Sequence, residues 1–157
     1  MQWTSHVVNA SLGRFLRQKL RHTRLVIYVL RLNFNGCPAT KIGITDARVM
    51  DRLKQHASKP HYGPITVKAV HELRASAPSL AYATHDVLRG VETAFFHELR
   101  RRSLSMRAVV PGRRTPMDRP VTETELVHRK DEAVALRMLQ RTMDTMTATL
   151  LRQARRD

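Results

Sequence analysis

The chain has 157 residues, with 28 lysines and arginines against 13 acidic residues, a formal charge of +15 at pH 7. That length suits one compact domain with an appendage rather than two full domains, and the positive excess points to a polyanionic partner while disfavouring self-association. The lone cysteine, Cys37, excludes an intrachain disulfide and fits a reducing compartment, and no apolar run approaches the roughly 20 residues of a membrane helix.

Residues 1–24 carry no acidic side chain. Leu12, Phe15, Leu16 and Leu20 share one helical face, with Arg14, Arg17 and Lys19 around the rest, so the segment reads as a basic N-terminal helix. A helix lying on phosphates, a plain packing helix and an organellar transit peptide all fit it; the last is the alternative to a cytoplasmic location. Residues 25–33, with the continuous run LVIYVL, predict a buried strand, Asn35-Gly36 a tight hairpin turn, and residues 39–45 the returning strand. Asp46 is placed to cap a helix through "ARVMDRLKQHAS", whose apolar stripe is Val49, Met50 and Leu53. A third strand is expected over 65–73.

Ser79 opens a second helix running to about Arg102, with Val87, Leu88, Val91, Ala94, Phe95 and Leu99 on one face. Residues 105–121, rich in proline and arginine, read as a linker. Thr122-x-x-Glu125 has the spacing of a capping box and predicts a long last helix over 122–157. Within it Leu136, Leu139, Met143, Met146 and Leu150 step by three and four, a seam that packs on its own domain or closes a homodimer through the C-terminal helix. The expected fold is α+β: a small three-stranded antiparallel sheet flanked by helices over a core of residues 25–104.

Four features of that core bear on chemistry. Pairing through Asn35-Gly36 brings the regions of Tyr28 and Lys41 alongside each other, so a phenol and an ammonium share one face of the sheet. A lysine among Ala39, Ile42 and Ile44 marks an exposed edge or a functional face. Arg52 and His56 lie four apart on one helix, in reach of one ligand, although a solvated basic face has the same spacing. On the second long helix Glu92 sits at the edge of the apolar stripe and Glu98 nearer its centre; periodicity does not choose between them. No paired His/Cys spacing of the zinc-finger kind occurs.

Together these residues resemble the GIY-YIG nuclease superfamily over residues 24–104. Its first motif looks like Val26-Ile27-Tyr28, its second like Lys41-Ile42-Gly43 in a form similar to phage-associated and restriction-type members, its arginine–histidine helix like Arg52 and His56, and its helix-borne glutamate like Glu92 in "ETAFFHEL". The resemblance selects Glu92 over Glu98. It implies a metal-dependent endonuclease in which Glu92 holds one divalent ion, Mg²⁺ or Mn²⁺, Tyr28 assists deprotonation of the attacking water, and Arg52 steadies the phosphoryl oxygens. A tyrosine of ordinary pKa is ionised to only about one part in a thousand at pH 7, so nearby cations must favour the phenolate, and Lys41 is expected to do so. His56 is suited to relay a proton or bind the phosphate. The expected partner is nucleic acid, DNA ahead of RNA, contacted by Arg14, Arg17, Lys19, Arg100, Arg101, Arg113 and Arg114. The alternative is a nucleic-acid-binding protein that keeps the fold without the activity; Val26 in place of a glycine, Thr93 after the glutamate and Lys41 in place of a tyrosine are the features behind it.

Overall fold

The computed structural model describes residues 1–153, with the side chains of Ser79, Leu150 and Gln153 left aside. In chain order it contains β1 (Gln2–Ser11), α1 (Leu12–Phe15), β2 (Val26–Phe34), β3 (Cys37–Thr45), α2 (Val49–Ala57), β4 (Thr66–Arg74), α3 (Ala81–Arg101), β5 (Ala108–Arg114), β6 (Pro120–Glu123), β7 (Leu126–His128) and α4 (Glu132–Gln153), with short 3₁₀ turns between some of them. The α+β class and the long C-terminal helix are as expected. Five strands, in the order β1-β4-β2-β3-β7, form one antiparallel sheet, and β5 and β6 form a separate ribbon.

The sheet is built around β2, which is apolar on both faces because both are covered. Val26, Tyr28, Leu30, Leu32 and Phe34 face a core closed by Phe15, Val49, Leu53 and Tyr62. Ile27 and Val29 face a second core closed by α3, through Val87, Val91, Phe95 and Leu99, and by α4, through Ala135, Leu139 and Met143. The hairpin turn is where Asn35-Gly36 places it: both residues have positive φ, which the tight turn requires, and Phe34 pairs with Cys37.

Four expectations are corrected. The sheet has five strands, not three, because residues 2–11 form an edge strand on β4 instead of part of a basic helix and β7 adds the opposite edge on β3. Thr4, Val7 and Val8 are β-branched, and burial there alternates with a period of two. Leu12, Phe15, Leu16 and Leu20 still pack together, but across one helical turn and a 3₁₀ turn at Lys19–His22.

Residues 105–121 are not a linker: they hold β5 and the start of β6, and Ala108 and Val110 are buried. The last helix begins at Glu132, ten residues after the apparent capping box, because Thr122 lies in β6 and Glu125, at φ +67°, turns the chain into β7. Finally, α2 begins at Val49 without a side-chain cap, so Asp46 does not cap it. The seam residues Leu139 and Met143 are buried within the chain, and a Cβ added at Gly90 of α3 would overlap Met146, so this part of the seam packs against α3. Leu150, the last seam position, lies outside the described side chains.

Candidate active site

Tyr28 pairs directly with Gly43 across the β2–β3 ladder, and Leu30 with Lys41, so Tyr28 and Lys41 do share a face of the sheet. The aromatic ring lies over Gly43, where a Cβ would overlap its Cζ and Oη; the glycine of the second motif is therefore the space that the tyrosine of the first occupies. Tyr28 is 0% exposed. Its phenolic oxygen is where α2 delivers two side chains one turn apart: His56 Nε2 at 2.7 Å and Arg52 Nε, which donates to it at 3.4 Å.

The electrostatics identify the resting protonation states. Burial pushes the Tyr28 phenol up to about 12, with Glu125 and Glu92 adding to it and Arg52 opposing. Burial also lowers the His56 imidazole to about 3, and Lys41, Arg52 and Lys59 reinforce the shift. At neutral pH the pair is a phenol beside a neutral imidazole, with the Tyr28 hydroxyl free to donate to Nε2 while its oxygen accepts from Arg52. His56 Nδ1 is buried with no hydrogen-bond partner among the described residues, and Tyr62 packs against the same ring at a centroid distance of 5.6 Å.

Lys41 departs from its expected role. It is neither an exposed edge nor an uncompensated charge: only 3% exposed, its ammonium donates to the Thr124 carbonyl and to Glu125 Oε2, each at 3.2 Å. Burial lowers its pKa against the pull of Glu125. That partner is 84 residues away in sequence, so no local pattern signals it. Lys41 accordingly leaves Tyr28 a protonated phenol.

Arg52 and Glu92 line one open cavity of about 590 Å³, together with Asp46, Gln55, His85 and Arg89. Arg52 is exposed and steadied by Gln55, to whose Oε1 it donates at 3.1 Å. It thus connects the sealed Tyr28–His56 pair to the cavity that Glu92 faces. The two glutamates of α3 separate cleanly. Glu98 is engaged by Arg101 and Arg102 at 2.6–2.8 Å, which hold its carboxylate down at about 2. Glu92 has no ion pair among the described residues, and its pKa is raised by burial, then by Glu125, and also by Asp46, despite Arg89 and Arg52.

Such a carboxylate favours an added cation. Glu92 and Asp46 are hard oxygen donors lining the same cavity, the donor chemistry of a Mg²⁺ or Mn²⁺ ion held by one or two carboxylates and completed by water and substrate oxygens. Among the described residues no group of three or more His, Cys, Asp or Glu side chains is placed to hold a metal ion. Gln55, His85 and Arg89 were not singled out from sequence, although their spacing contains the signal: Gln55 lies three residues after Arg52, and Arg89 and His85 lie three and seven before Glu92, on the same helical faces.

All seven basic residues expected to meet nucleic acid are exposed: Arg14, Arg17 and Lys19 on the N-terminal segment, Arg100 and Arg101 at the end of α3, Arg113 and Arg114 on β5. Arg101 is partly committed to Glu98 and Arg114 to Asp118. Among the described residues, no helix is long and apolar enough to cross a membrane. The chain matches no protein-family model, no curated protein and no solved structure.

Proposed function

We propose that this chain is a metal-dependent endonuclease that hydrolyses phosphodiester bonds, of DNA before RNA, at the Arg52–Glu92 cavity. The observation that carries the reading is that Arg52 touches the phenol of the buried Tyr28–His56 pair and lines the same cavity as the unpaired carboxylate of Glu92. The order of these residues along the chain is that of the GIY-YIG nucleases it resembles.

The side chains support a division of labour. Arg52, with a guanidinium half committed to Tyr28 and Gln55, directs its remaining N–H groups at a phosphate in the cavity. Arg89 adds a second positive charge on that wall. Glu92 would hold the divalent ion, which would supply Lewis-acid stabilisation of charge on the phosphoryl and leaving oxygens. Tyr28 is sealed from the cavity in the free protein, so its role requires substrate to open a path past Arg52. Its hydroxyl would then accept the proton of the attacking water as its own passes to His56 Nε2, making the imidazole the net acceptor with no free phenolate. The water oxygen ends on phosphorus, and the bond from phosphorus to the leaving sugar oxygen breaks.

Proton transfer to His56 is steeply uphill in the free protein, where burial first, and then Lys41, Arg52 and Lys59, depress its pKa. A phosphate beside Arg52 offsets the positive part of that field and raises the His56 pKa from its depressed value, while the effect of burial remains. The elevated phenol and the seal around Tyr28 favour the second reading, a nucleic-acid-binding protein without hydrolytic activity.

The test is a Mg²⁺-dependent cleavage assay of wild type beside Glu92→Gln on plasmid, single-stranded DNA and structured RNA. Chelator-sensitive cleavage by wild type alone is expected. Salt-sensitive binding by both proteins with cleavage by neither selects the second reading.

A further inference from the structure

The β5–β6 ribbon stands outside the residues that resemble the nuclease core. Its root is anchored on the candidate site. Glu123, at the end of β6, accepts hydrogen bonds from Lys59 Nζ at 2.6 Å and the Tyr62 hydroxyl at 2.8 Å, and pairs with His61 at 3.3 Å. Two residues on, Glu125 receives the Lys41 ammonium. On the other side Val109, Pro120 and Thr122 face Glu92 across a second cavity of about 780 Å³. The ribbon is thus held at its base by groups that also surround Tyr28 and His56.

Beyond that base it is exposed to solvent, with Pro111 and Arg113 lining an open cavity of about 680 Å³ beside Lys59 and His61. Ala108 and Val110 are buried, and from Pro111 to Pro120 every residue is exposed except the half-buried Thr115. The outer part carries Arg113, Arg114 and Arg119 against a single acidic residue, Asp118. Its turn is internally braced: Thr115 N donates to Arg119 O at 2.8 Å, Asp118 N to Thr115 O at 2.9 Å, and Arg114 to Asp118. At the tip Met117 is 75% exposed, among the largest apolar exposures in the chain. A braced, cationic, two-stranded ribbon with no cover of its own has the dimensions of a groove-reading element: strands about 4.8 Å apart fit a B-form major groove about 12 Å wide.

We infer that the β5–β6 ribbon docks in the major groove of a B-form DNA duplex, with Arg113, Arg114 and Arg119 on the flanking phosphates and Met117 against the base edges, and so presents duplex DNA to the Glu92 cavity. This deepens the nucleic-acid reading above and rests on it for the class of polymer only. The deep, narrow major groove of A-form RNA does not admit such a ribbon, and a single strand offers no groove. The ribbon also supplies an element able to touch base edges.

The experiment compares Glu92→Gln protein with the same protein carrying Arg113→Ala, Arg114→Ala and Arg119→Ala. Binding is followed by fluorescence anisotropy across a salt series on one sequence as DNA duplex, RNA duplex and single-stranded DNA. Thermal melting of both proteins checks that these exposed substitutions leave the fold intact. The expected result is a DNA-duplex affinity at least tenfold weaker at moderate salt, a salt slope shallower by roughly three, one for each phosphate no longer neutralised, and little change for the other two ligands. Met117→Ala is expected to reduce discrimination between duplex sequences while leaving the slope unchanged. Equal losses on all three ligands, no loss on DNA duplex, or no DNA-duplex binding by the parent would each overturn the inference. Wild-type cleavage of duplex with ribbon-independent binding would sink the ribbon alone. Ribbon-dependent duplex binding without cleavage by wild type would sink the nuclease reading and leave the ribbon standing.

Discussion

Two carboxylates on the two long helices sit in opposite surroundings. Glu132, at the first turn of α4, is 5% exposed and receives Arg31 through two hydrogen bonds, the Thr40 hydroxyl at 2.6 Å and the Lys68 ammonium. Burial pushes its pKa up, but these donors outweigh burial and hold it at about 2. Glu92, on α3, has a raised pKa, no ion pair among the described residues, and an open cavity in front of it. A satisfied buried charge holds β2, β3, β4 and α4 in register and has no capacity left for a ligand. An unsatisfied one costs stability at rest and gains most when a cation arrives. The difference lies in what each carboxylate faces, not in residue type or element.

The largest effect expected from breaking that contrast is on Glu92. Glu92→Gln should lower Mg²⁺-dependent cleavage by on the order of 10³-fold, the scale of losing a principal transition-state stabiliser, while the thermal midpoint stays within a degree or two of wild type or rises. Steady-state cleavage and calorimetry on the same preparations check both halves; a large fall in the midpoint would assign Glu92 to structure instead.

Glu132→Ala is the converse. It leaves Arg31 and Lys68 facing each other without their counter-charge and should cost about 3 kcal/mol or more in urea unfolding. Gly43→Ala comes next. The added methyl meets the Tyr28 ring and should cost about 1–3 kcal/mol as overpacking. It should also lengthen the Tyr28–His56 hydrogen bond, so that cleavage falls further than stability alone explains.

The last effect is a pH signature. His56 titrates at about 3 in the folded chain and near 6.5 when unfolded. The unfolded state therefore binds the extra proton first, and this contribution to stability is lost as pH falls from about 7 toward 3. Imidazole NMR should find His56 neutral from pH 8 to 5. Addition of a non-cleavable phosphodiester should move its titration upward, and an unchanged value would remove the proposed activation by substrate.

Much of the core was legible in the chain itself. The run Leu25–Leu30, the Asn35-Gly36 turn and the stripe from Val87 to Leu99 are local signals, since turn chemistry and apolar periodicity act within a few residues. The pairing of Tyr28 with Gly43 follows from the two-residue turn, because hairpin register is set by the loop. The meeting of Arg52 and His56 on one atom follows from their spacing of one helical turn.

Other assignments needed the assembled molecule. The N-terminal segment has a helical apolar face at Leu12–Leu20 and a strand pattern at Trp3–Val8; β4 offers a free edge, and the ladder wins. The capping-box spacing at Thr122–Glu125 is real, but Lys41 and Lys59 bind the glutamates on either side of Thr124 and hold the segment extended. Lys41 looked like a cation awaiting a phenolate, and only the fold, by bringing Glu125 to it, turned it into half of a buried ion pair. The sequence by itself determined the central elements β2, β3, α2, β4 and α3 and which side chains each presents. Tertiary structure decided which charges are already satisfied and which still face a cavity, because charge pairing depends on distances of a few ångströms between residues that the chain keeps far apart.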